Sequence, residues 1–211
     1  MNGQEQMRAI VFDFGNVLLR WDPRRLFQQH FPDGPQAVDA FMTEIGFTAW
    51  HLEQDRGRPF AEAIAEQTAK FPQYAHILAD YDPNYNKAVV GPIDGSVEIL
   101  QRLKEAGYPL YGLSNYPTEK FVLARQQYPF FGWFDDIVIS GEVGLLKPDP
   151  AIFRLLLEKI GRPAQDCVFT DDSLPNIVAA RELGFTAIQF HSPEQLTQEL
   201  NQLGILQEHT T

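Results

Sequence analysis

The stretch AIFRLLLEKIGRPAQDCVFTDDSLPNIVAARELGFTAIQF (residues 151–190) contains one local pattern twice: a helical segment, a glycine and a short apolar strand. Residues 151–160 have helical periodicity, Gly161 provides a left-handed stop, and CVFTD (167–171) follows as a strand. The second copy ends in the strand TAIQF (186–190). A helix between two strands is typical of a βαβ crossover, so this stretch predicts a parallel sheet that is covered on both faces.

The same pattern occurs upstream, where a predicted helix over 94–106 and Gly107 precede the strand PLYGLS (109–114). Two further strands are predicted, RAIVFD (8–13) as the first of the chain and DIVIS (136–140). Together these segments predict an α/β fold with a doubly wound parallel sheet.

Residues 20–88, called the helical insertion below, have helical rather than alternating periodicity, and no clear strand is evident among them. A block of helices between the first strand and the first crossover helix indicates an inserted α-helical cap. We therefore expect a core domain formed by residues 1–19 and 89–211, and a cap domain formed by residues 20–88.

The composition restricts the class of function. The chain has 211 residues, 44% of them hydrophobic, which is enough for one folded domain with an insertion. Its 17 basic and 28 acidic residues give a net charge of −11, which disfavours nucleic-acid and membrane-surface partners. A single cysteine cannot form an intramolecular disulfide, and the amino-terminal sequence has no signal-peptide pattern, so we expect a cytoplasmic protein. The sequence leaves open whether it is a monomer or a homodimer.

Polar side chains stand at the carboxyl ends of three predicted strands, which is the edge where open parallel sheets bind ligands. These residues are Asp13, Ser114 and Asn115, and the pair Asp171 and Asp172. Lys147 lies just before a proline-marked helix start and could point its ammonium group at the same edge. Singly, each has an ordinary explanation as a turn residue, a helix cap or a surface lysine. Their order along the chain favours a common site.

This set of side chains suits phosphoryl transfer. The Asp13 carboxylate could attack phosphorus and form an acyl phosphate, which water would then cleave. Two further carboxylates in one pocket favour a divalent cation such as Mg²⁺, which prefers oxygen ligands. Ser114, Asn115 and Lys147 could hold the phosphoryl oxygens while negative charge builds up on them.

Four segments resemble the motifs of the haloacid dehalogenase superfamily, and the resemblance extends from Val11 to about Gln189. The segments are VFDFGNVLL (11–19), LSNY (113–116), GLLKPDPAIF (144–153) and VFTDDSLPNI (168–177). The resemblance implies a Rossmann-like α/β core with a helical cap that closes over the substrate. It also implies a Mg²⁺-dependent phosphatase whose partner is a small phosphorylated metabolite.

The resemblance assigns roles to individual residues. The implied catalytic and phosphate-binding residues are Asp13 as nucleophile, Ser114 and Asn115 as phosphate binders, and Lys147 as charge stabiliser. The implied metal ligands are Asp13, the Gly15 carbonyl group and Asp172, with Asp171 beside it.

One position departs from the family pattern. Most phosphatases of the superfamily have a second aspartate two residues after the nucleophile, serving as general acid and base, whereas this chain has Gly15. General acid catalysis contributes about 10²–10⁴-fold, so its absence must be compensated or made unnecessary. The DFGNV form is similar to a bacterial sugar-phosphatase branch that includes an α-D-glucose-1-phosphate phosphatase, and an anomeric phosphate leaves more easily than an ordinary alkyl phosphate.

Two alternatives to a phosphatase remain open at this point. A 2-haloacid dehalogenase expels a halide that needs no proton, although such enzymes need no metal and the acidic pair favours one. A folded binding or regulatory protein without catalytic activity is the other.

Contacts between the insertion and the substrate are harder to predict. Trp21, Trp50, Glu53 and Arg56 lie on segments expected to face the active edge, and Trp50 could bind a sugar-like leaving group. Packing within the insertion explains the tryptophans equally well. The five histidines show no ligand spacing, so we expect none to be catalytic, and Cys167 is expected to be a small buried residue.

Overall fold

The computed structural model describes residues 7–206. Its strands are β1 (Ala9–Phe12), β2 (Leu19–Trp21), β3 (Val89–Pro92), β4 (Leu110–Ser114), β5 (Asp136–Ile139), β6 (Cys167–Asp171) and β7 (Thr186–Gln189). Five of them form one sheet in the order β5-β4-β1-β6-β7, and every neighbouring pair is parallel. The predicted doubly wound α/β fold is therefore confirmed.

Two hydrophobic cores cover the two faces of this sheet because side chains alternate along each strand. In β1, Ile10 and Phe12 pack into one core, whereas Ala9 and Val11 pack into the other. The first core continues into the helical insertion, and the second contains Cys167, which is buried as expected.

The helices within residues 7–206 are α1 (Pro35–Glu44), α2 (Phe47–Asp55), α3 (Phe60–Lys70), α4 (Ala75–Leu78), α5 (Tyr85–Ala88), α6 (Asp94–Glu105), α7 (Thr118–Gln127), α8 (Ser140–Val143), α9 (Pro150–Ile160), α10 (Leu174–Glu182) and α11 (Pro193–Gln202). None of these is long and apolar enough to cross a lipid bilayer. Local signals explain α9: the Asp149 side chain accepts a hydrogen bond from the Ala151 amide at 2.9 Å, and Gly161 ends the helix with a φ of 62°.

The two connections between the helical insertion and the core form strands that the sequence analysis did not expect. β2 pairs antiparallel with β3, and β2 runs through Arg20 to Trp21. The interpretation that residues 20–88 contain no strand is therefore wrong at Arg20 and Trp21, which belong to β2. β2 and β3 lie far apart in the sequence, and β2 is only three residues long. Local periodicity therefore could not predict their pairing.

The carboxyl end of α2 packs directly on the core. The Ser140 hydroxyl donates a hydrogen bond to the backbone carbonyl oxygen of Asp55 at 2.5 Å and accepts one from the Tyr116 amide at 2.9 Å. Gly57 lies so close to the core that a Cβ atom on it would be 2.7 Å from the carbonyl oxygen of Gly141. These contacts hold the last turn of α2 against the loop that follows β4 and against the start of α8.

Candidate active site

The strand order places the predicted polar residues side by side. β1 lies between β4 and β6, so the carboxyl ends of these three strands are neighbours. Asp13 follows β1, Ser114 is the last residue of β4, and Asp171 is the last residue of β6. The Asp13 amide donates to the Thr170 carbonyl group at 2.9 Å, which extends the pairing of β1 and β6 up to the aspartate.

A buried lysine joins two of the carboxylates. Lys147 Nζ lies 2.9 Å from Asp13 Oδ1 and 2.6 Å from Asp171 Oδ2, and it also donates to the Leu113 carbonyl oxygen at 2.8 Å. Lys147 is only 3% exposed, so these three oxygens replace water around its ammonium group. The Ser114 hydroxyl donates to the same Asp13 oxygen at 2.8 Å. Within residues 7–206, no hydrogen bond is made to the second oxygen, Asp13 Oδ2.

Burial and pairing set the charges of this group. Burial raises the pKa of Asp13 to about 7; Lys147 opposes this shift and Asp171 adds to it. Burial also disfavours the ammonium form of Lys147, but the two carboxylates outweigh it, and the pKa of Lys147 lies above its ordinary value. Any further cation near the carboxylates would favour the ionised form of Asp13 in the same way as Lys147.

Asn115 holds the loop that carries the lysine. Its side-chain oxygen accepts a hydrogen bond from the Lys147 amide at 2.8 Å, and its side-chain nitrogen donates to the Lys147 carbonyl oxygen at 3.0 Å. This reciprocal pair ties the end of β4 to the segment before α9. Asn115 therefore fixes the lysine backbone, in addition to standing at the edge where phosphate binding is predicted.

Asp171 is wholly buried, and its two oxygens are fully occupied by donors. These donors are Lys147 Nζ at 2.6 Å, the Ser173 amide at 2.9 Å, and Asn176 Nδ2 at 2.9 and 3.0 Å from the two oxygens. No role was predicted for Asn176, although it lies within the fourth motif. Its amide fixes the carboxylate that holds the lysine.

Asp172 is the less constrained member of the acidic pair. It is half-buried, and Asn16 Nδ2 lies 3.3 Å from its Oδ2 atom. Burial raises its pKa, and the charge of Asp171 adds to this. One oxygen from each of Asp13, Asp171 and Asp172 lies within 4.8 Å of the other two. This all-oxygen donor set fits a hard divalent cation, and Asp172 has more capacity than Asp171 to bind one.

The loop after Asp13 has an unusual backbone. Asn16 adopts a left-handed conformation with a φ of 53°, and its side-chain oxygen accepts a hydrogen bond from the Trp21 amide at 3.1 Å. The side chain of Asn16 thus links Asp172 to β2. At Gly15, a Cβ atom would meet no other atom within 4 Å, so the place of the missing family aspartate is open space.

A cavity of about 170 Å³ opens beside this loop. The core contributes Gly15, Asn115 and Tyr116 to its wall. Strand β2 and the helical insertion contribute, among others, Trp21, His51, Asp55 and Tyr85. The ring of Trp21 lies 5.5 Å from that of His51 and 5.0 Å from that of Tyr85, so one side of the cavity is aromatic.

The structure separates the four insertion residues that were expected near the substrate. Only Trp21 lines the cavity. Trp50 is 6% exposed and its indole N–H donates to the Ala63 carbonyl oxygen at 3.1 Å, which is a packing position inside the insertion. Glu53 and Arg56 lie 3.7 Å apart on the solvent side of α2, with nearly half of each side chain exposed. Their placement gives no support to the predicted substrate contacts.

His51 and Asp55 on α2 line the cavity instead, and neither was predicted from the sequence. Their i,i+4 spacing puts them on one face of the helix, whereas Glu53 and Arg56 share another. Burial lowers the pKa of His51 to about 4, and its Nδ1 atom lies 2.6 Å from the Tyr81 hydroxyl. Burial raises the pKa of Asp55 to about 8; the charge of Asp13 adds to this shift and Lys147 opposes it. Near neutral pH the cavity therefore has a neutral imidazole and a protonated carboxyl group.

The model of the haloacid dehalogenase-like hydrolase family matches residues 7–184. The chain belongs to this family. Membership confirms the family resemblance carried by the four motifs and identifies the protein as a hydrolase.

Curated relatives of this haloacid dehalogenase-like hydrolase include one cyclase and two phosphatases. It is 27% identical to drimenol cyclase drtB of Aspergillus calidoustus over 93% of this chain and 36% of the cyclase. It is 26% identical to sesquiterpene phosphatase astK of Aspergillus oryzae, over 93% of this chain and 96% of the relative. It is 24% identical to D-ribitol-5-phosphate phosphatase of Bacteroides thetaiotaomicron, over 92% and 97%. The chain thus spans about a third of the cyclase and nearly all of each phosphatase.

A solved structure has the same fold. The family enzyme bt-2542 from Bacteroides thetaiotaomicron, in complex with magnesium and inorganic phosphate, superposes with a TM-score of 0.72 at 23% identity. The match covers 89% of this chain and 96% of that one.

Proposed function

We propose that this haloacid dehalogenase-like hydrolase releases phosphate from a small phosphate monoester, in a Mg²⁺-dependent reaction through a phosphorylated Asp13. The observation that carries the proposal is the buried contact of Lys147 with both Asp13 and Asp171. It combines a carboxylate nucleophile with a fixed positive charge at one end of the sheet. The names of the two phosphatase relatives support the same chemistry.

The first step would form a bond between an Asp13 oxygen and phosphorus while the bond from phosphorus to the leaving oxygen breaks. Oδ1 is held by Ser114 and Lys147, so Oδ2 is the oxygen that is available for attack. Lys147 would keep its charge beside the phosphoryl oxygens as they become more negative. Water would then cleave the phosphoaspartate and restore the carboxylate.

The proposed protein ligands of Mg²⁺ are Asp13, Asp172 and the carbonyl group of Gly15, with Asp171 beside them. The close approach of three carboxylates supports this choice, and so does the magnesium complex of bt-2542. When bound, the metal would neutralise the charge of the carboxylates and of the phosphate group. Asp171 would act mainly by holding Lys147 and by adding negative charge.

The leaving group would occupy the cavity between the core and the helical insertion. A volume of about 170 Å³ suits a small group, and the Trp21 ring offers an apolar face of the kind that packs against a sugar. A sugar or sugar-alcohol phosphate is therefore the substrate class that we propose. Ser114 and Asn115 would contact the phosphate, and Trp21 takes the place that the sequence analysis gave to Trp50.

The test is a screen of phosphate release over sugar, nucleotide and acyl phosphates, with Mg²⁺ and with a chelator. We expect activity on at least one sugar phosphate, loss of that activity with chelator, and its reduction to the protein-free level in Asp13→Asn. Asp33→Asn, an exposed aspartate of the insertion, is the matched control and should keep full activity.

Acid quenching during turnover of a radiolabelled ester should leave label on the wild-type protein and none on Asp13→Asn. Retained turnover in Asp13→Asn would exclude the covalent mechanism. Halide release from a 2-haloacid without metal would identify a dehalogenase instead, and inactivity in both assays would leave a binding protein.

A further inference from the structure

Within residues 7–206, the core has no carboxyl group at the position that usually supplies the proton for the leaving group. Position 15, where most phosphatases of the family have a second aspartate, is glycine, and the space beside it is open. Lys147 and Asp171 are bound to each other inside the sheet edge. An alkoxide is a poor leaving group, so an unactivated ester needs a proton from another side chain.

A carboxyl group of the helical insertion faces this open space. Asp55, the last residue of α2, lines the same cavity as Gly15 and Asn115. It is 6% exposed, and within residues 7–206 no group donates a hydrogen bond to its side chain. The Nε2 atom of His51 is 3.8 Å from Asp55 Oδ2, which is beyond hydrogen-bond distance. Asp55 is thus a buried carboxyl group without a partner at the wall of the cavity.

The backbone of Asp55 is fixed to the core although its side chain is free. Its carbonyl oxygen accepts the hydrogen bond from Ser140, and the close approach of Gly57 to Gly141 holds the following turn. A residue on the insertion is therefore placed at the core loops with little freedom to move away. Positioning of this kind is needed for efficient proton transfer.

Burial keeps Asp55 protonated near neutral pH; the charge of Asp13 adds to this and Lys147 opposes it. The titratable and charged groups that surround Asp55 come from both the insertion and the core. They are His51 on its own helix, Tyr81 and Tyr85 of the insertion, and Tyr116, Asp13 and Lys147 of the core. The Tyr85 phenol has a pKa well above its ordinary value because it is buried and near Asp55, so it stays neutral. His51 is neutral as well, and the charge of Asp13 opposes ionisation of Asp55.

We propose that Asp55 is the general acid and base of the reaction, supplied by the helical insertion in place of the carboxylate that is absent at Gly15. This inference rests on the proposed phosphatase function. In the first step, Asp55 gives its proton to the leaving oxygen as the bond from phosphorus to that oxygen breaks, so an alcohol departs. In the second, the Asp55 carboxylate takes a proton from the water that attacks the phosphoaspartate. Cleavage of the bond between phosphorus and Asp13 then restores both side chains.

The experiment compares Asp55→Asn with the wild type on two esters, both with Mg²⁺. β-Glycerophosphate has an alkoxide leaving group that needs a proton, whereas p-nitrophenyl phosphate has one that departs as its anion. We expect kcat/KM of Asp55→Asn to fall by about 10²–10⁴-fold on the first ester and by less than about tenfold on the second. Glu53→Gln, exposed on the opposite side of α2, is the control and should match the wild type on both.

Two further measurements separate proton transfer from a structural role. In the wild type, kcat/KM for β-glycerophosphate should fall as pH rises through about 8, where Asp55 loses its proton, and Asp55→Asn should lack this dependence. Gly15→Asp added to Asp55→Asn should restore at least a tenfold rate on β-glycerophosphate, because a side chain at position 15 meets open space.

Equal losses on the two esters would overturn the role of Asp55, and so would a β-glycerophosphate rate within about threefold of the wild type. A double variant that stays at the rate of Asp55→Asn would also contradict it. If the wild type hydrolyses neither these esters nor any sugar phosphate of the screen, the proposed function fails, and this inference fails with it.

Discussion

The edge of the core sheet and the facing surface of the helical insertion differ in whether their buried ionisable groups have partners of opposite charge. At the core edge, Lys147 lies between Asp13 and Asp171, so each of these three groups has a partner of opposite sign. On the insertion, Asp55 is equally buried but has no ion pair within hydrogen-bond distance in the described residues, and its neighbours are aromatic. The core edge is therefore an ion-paired cluster, whereas the insertion places at the cavity a carboxyl group that is protonated near neutral pH.

This difference gives the carboxyl groups of one pocket different tendencies to ionise. Burial raises the pKa of Asp13 to about 7 and that of Asp55 to about 8; Lys147 opposes the shift of Asp13 through a contact at 2.9 Å, whereas Asp55 has no cation within hydrogen-bond distance in residues 7–206. Groups whose environments separate their pKa values are suited to distinct tasks in one reaction. Substitutions that remove the pairing from the core edge, or that change the surface facing it, test this comparison.

The largest expected effect comes from Lys147→Met. This change leaves Asp13 and Asp171 buried without their cation, which should destabilise the fold by about 3–5 kcal/mol and abolish phosphate release. Thermal unfolding should be followed with a chelator present, so that no metal replaces the ammonium group. Lys159→Met removes an exposed pair with Asp136 and should change stability by less than about 1 kcal/mol. Similar melting temperatures for both variants would contradict the paired core edge.

Trp50→Ala should act on stability rather than on substrate binding. Trp50 is buried and its N–H is bonded within the insertion, so its loss should cost about 3–5 kcal/mol of unfolding free energy. Denaturant unfolding measures this cost, and steady-state kinetics below the melting temperature should show KM within about twofold of the wild type. A large rise in KM with unchanged stability would restore Trp50 as a substrate contact.

Asp55→Asn should raise stability at alkaline pH. The pKa of Asp55 is raised to about 8 in the fold from an ordinary value of 3.8, so its contribution is most favourable below about pH 4 and is lost as pH rises to about 8. Above that pH range, the free energy of unfolding of the variant should exceed that of the wild type by more than about 1.4 kcal/mol. This is the equivalent of one pKa unit, or roughly 3 °C in Tm. Melting curves at pH 5 and pH 9 test this, and a gain that is the same at both would exclude a pH-linked cause. Glu53→Gln is again the control.

Trp21→Ala should have the smallest energetic effect. Trp21 is half-buried at the cavity wall, so its removal should raise KM for the substrate by about tenfold, or ~1.4 kcal/mol, with little change in kcat. Unchanged KM in a folded variant would show that the leaving group does not contact this ring.

The core edge could be predicted well because local signals carry it. Each polar residue follows a strand whose apolar run is visible in the sequence, and parallel strands bring their carboxyl ends to one edge. Asp13, Ser114 and Asp171 needed no knowledge of strand order to be placed together. By contrast, two contacts could not be predicted: that of Asn176 with Asp171, and that of Asn115 with the Lys147 backbone. Both depend on distances among side-chain and backbone atoms in three dimensions, which the spacing of residues in the sequence does not give.

The insertion could be predicted only as far as its helices. Helical periodicity marks α2, but it does not say which face of the helix meets the core, and the residues chosen from it were Glu53 and Arg56 rather than His51 and Asp55. The strand pair of β2 and β3 was missed because both partners are short and distant in sequence.

By itself, the amino-acid sequence determined the α/β fold of this protein and the polar residues of the core edge, since these follow from local periodicity and from the direction of parallel strands. Its family was indicated by the resemblance of four sequence motifs. Only the tertiary structure decided that Lys147 joins two carboxylates and that Asp55 faces the open place beside Gly15. The physical reason is that pairing and burial are set by which distant surfaces pack together. A carboxyl group has the same letter in the sequence whether a cation neutralises it or burial protonates it.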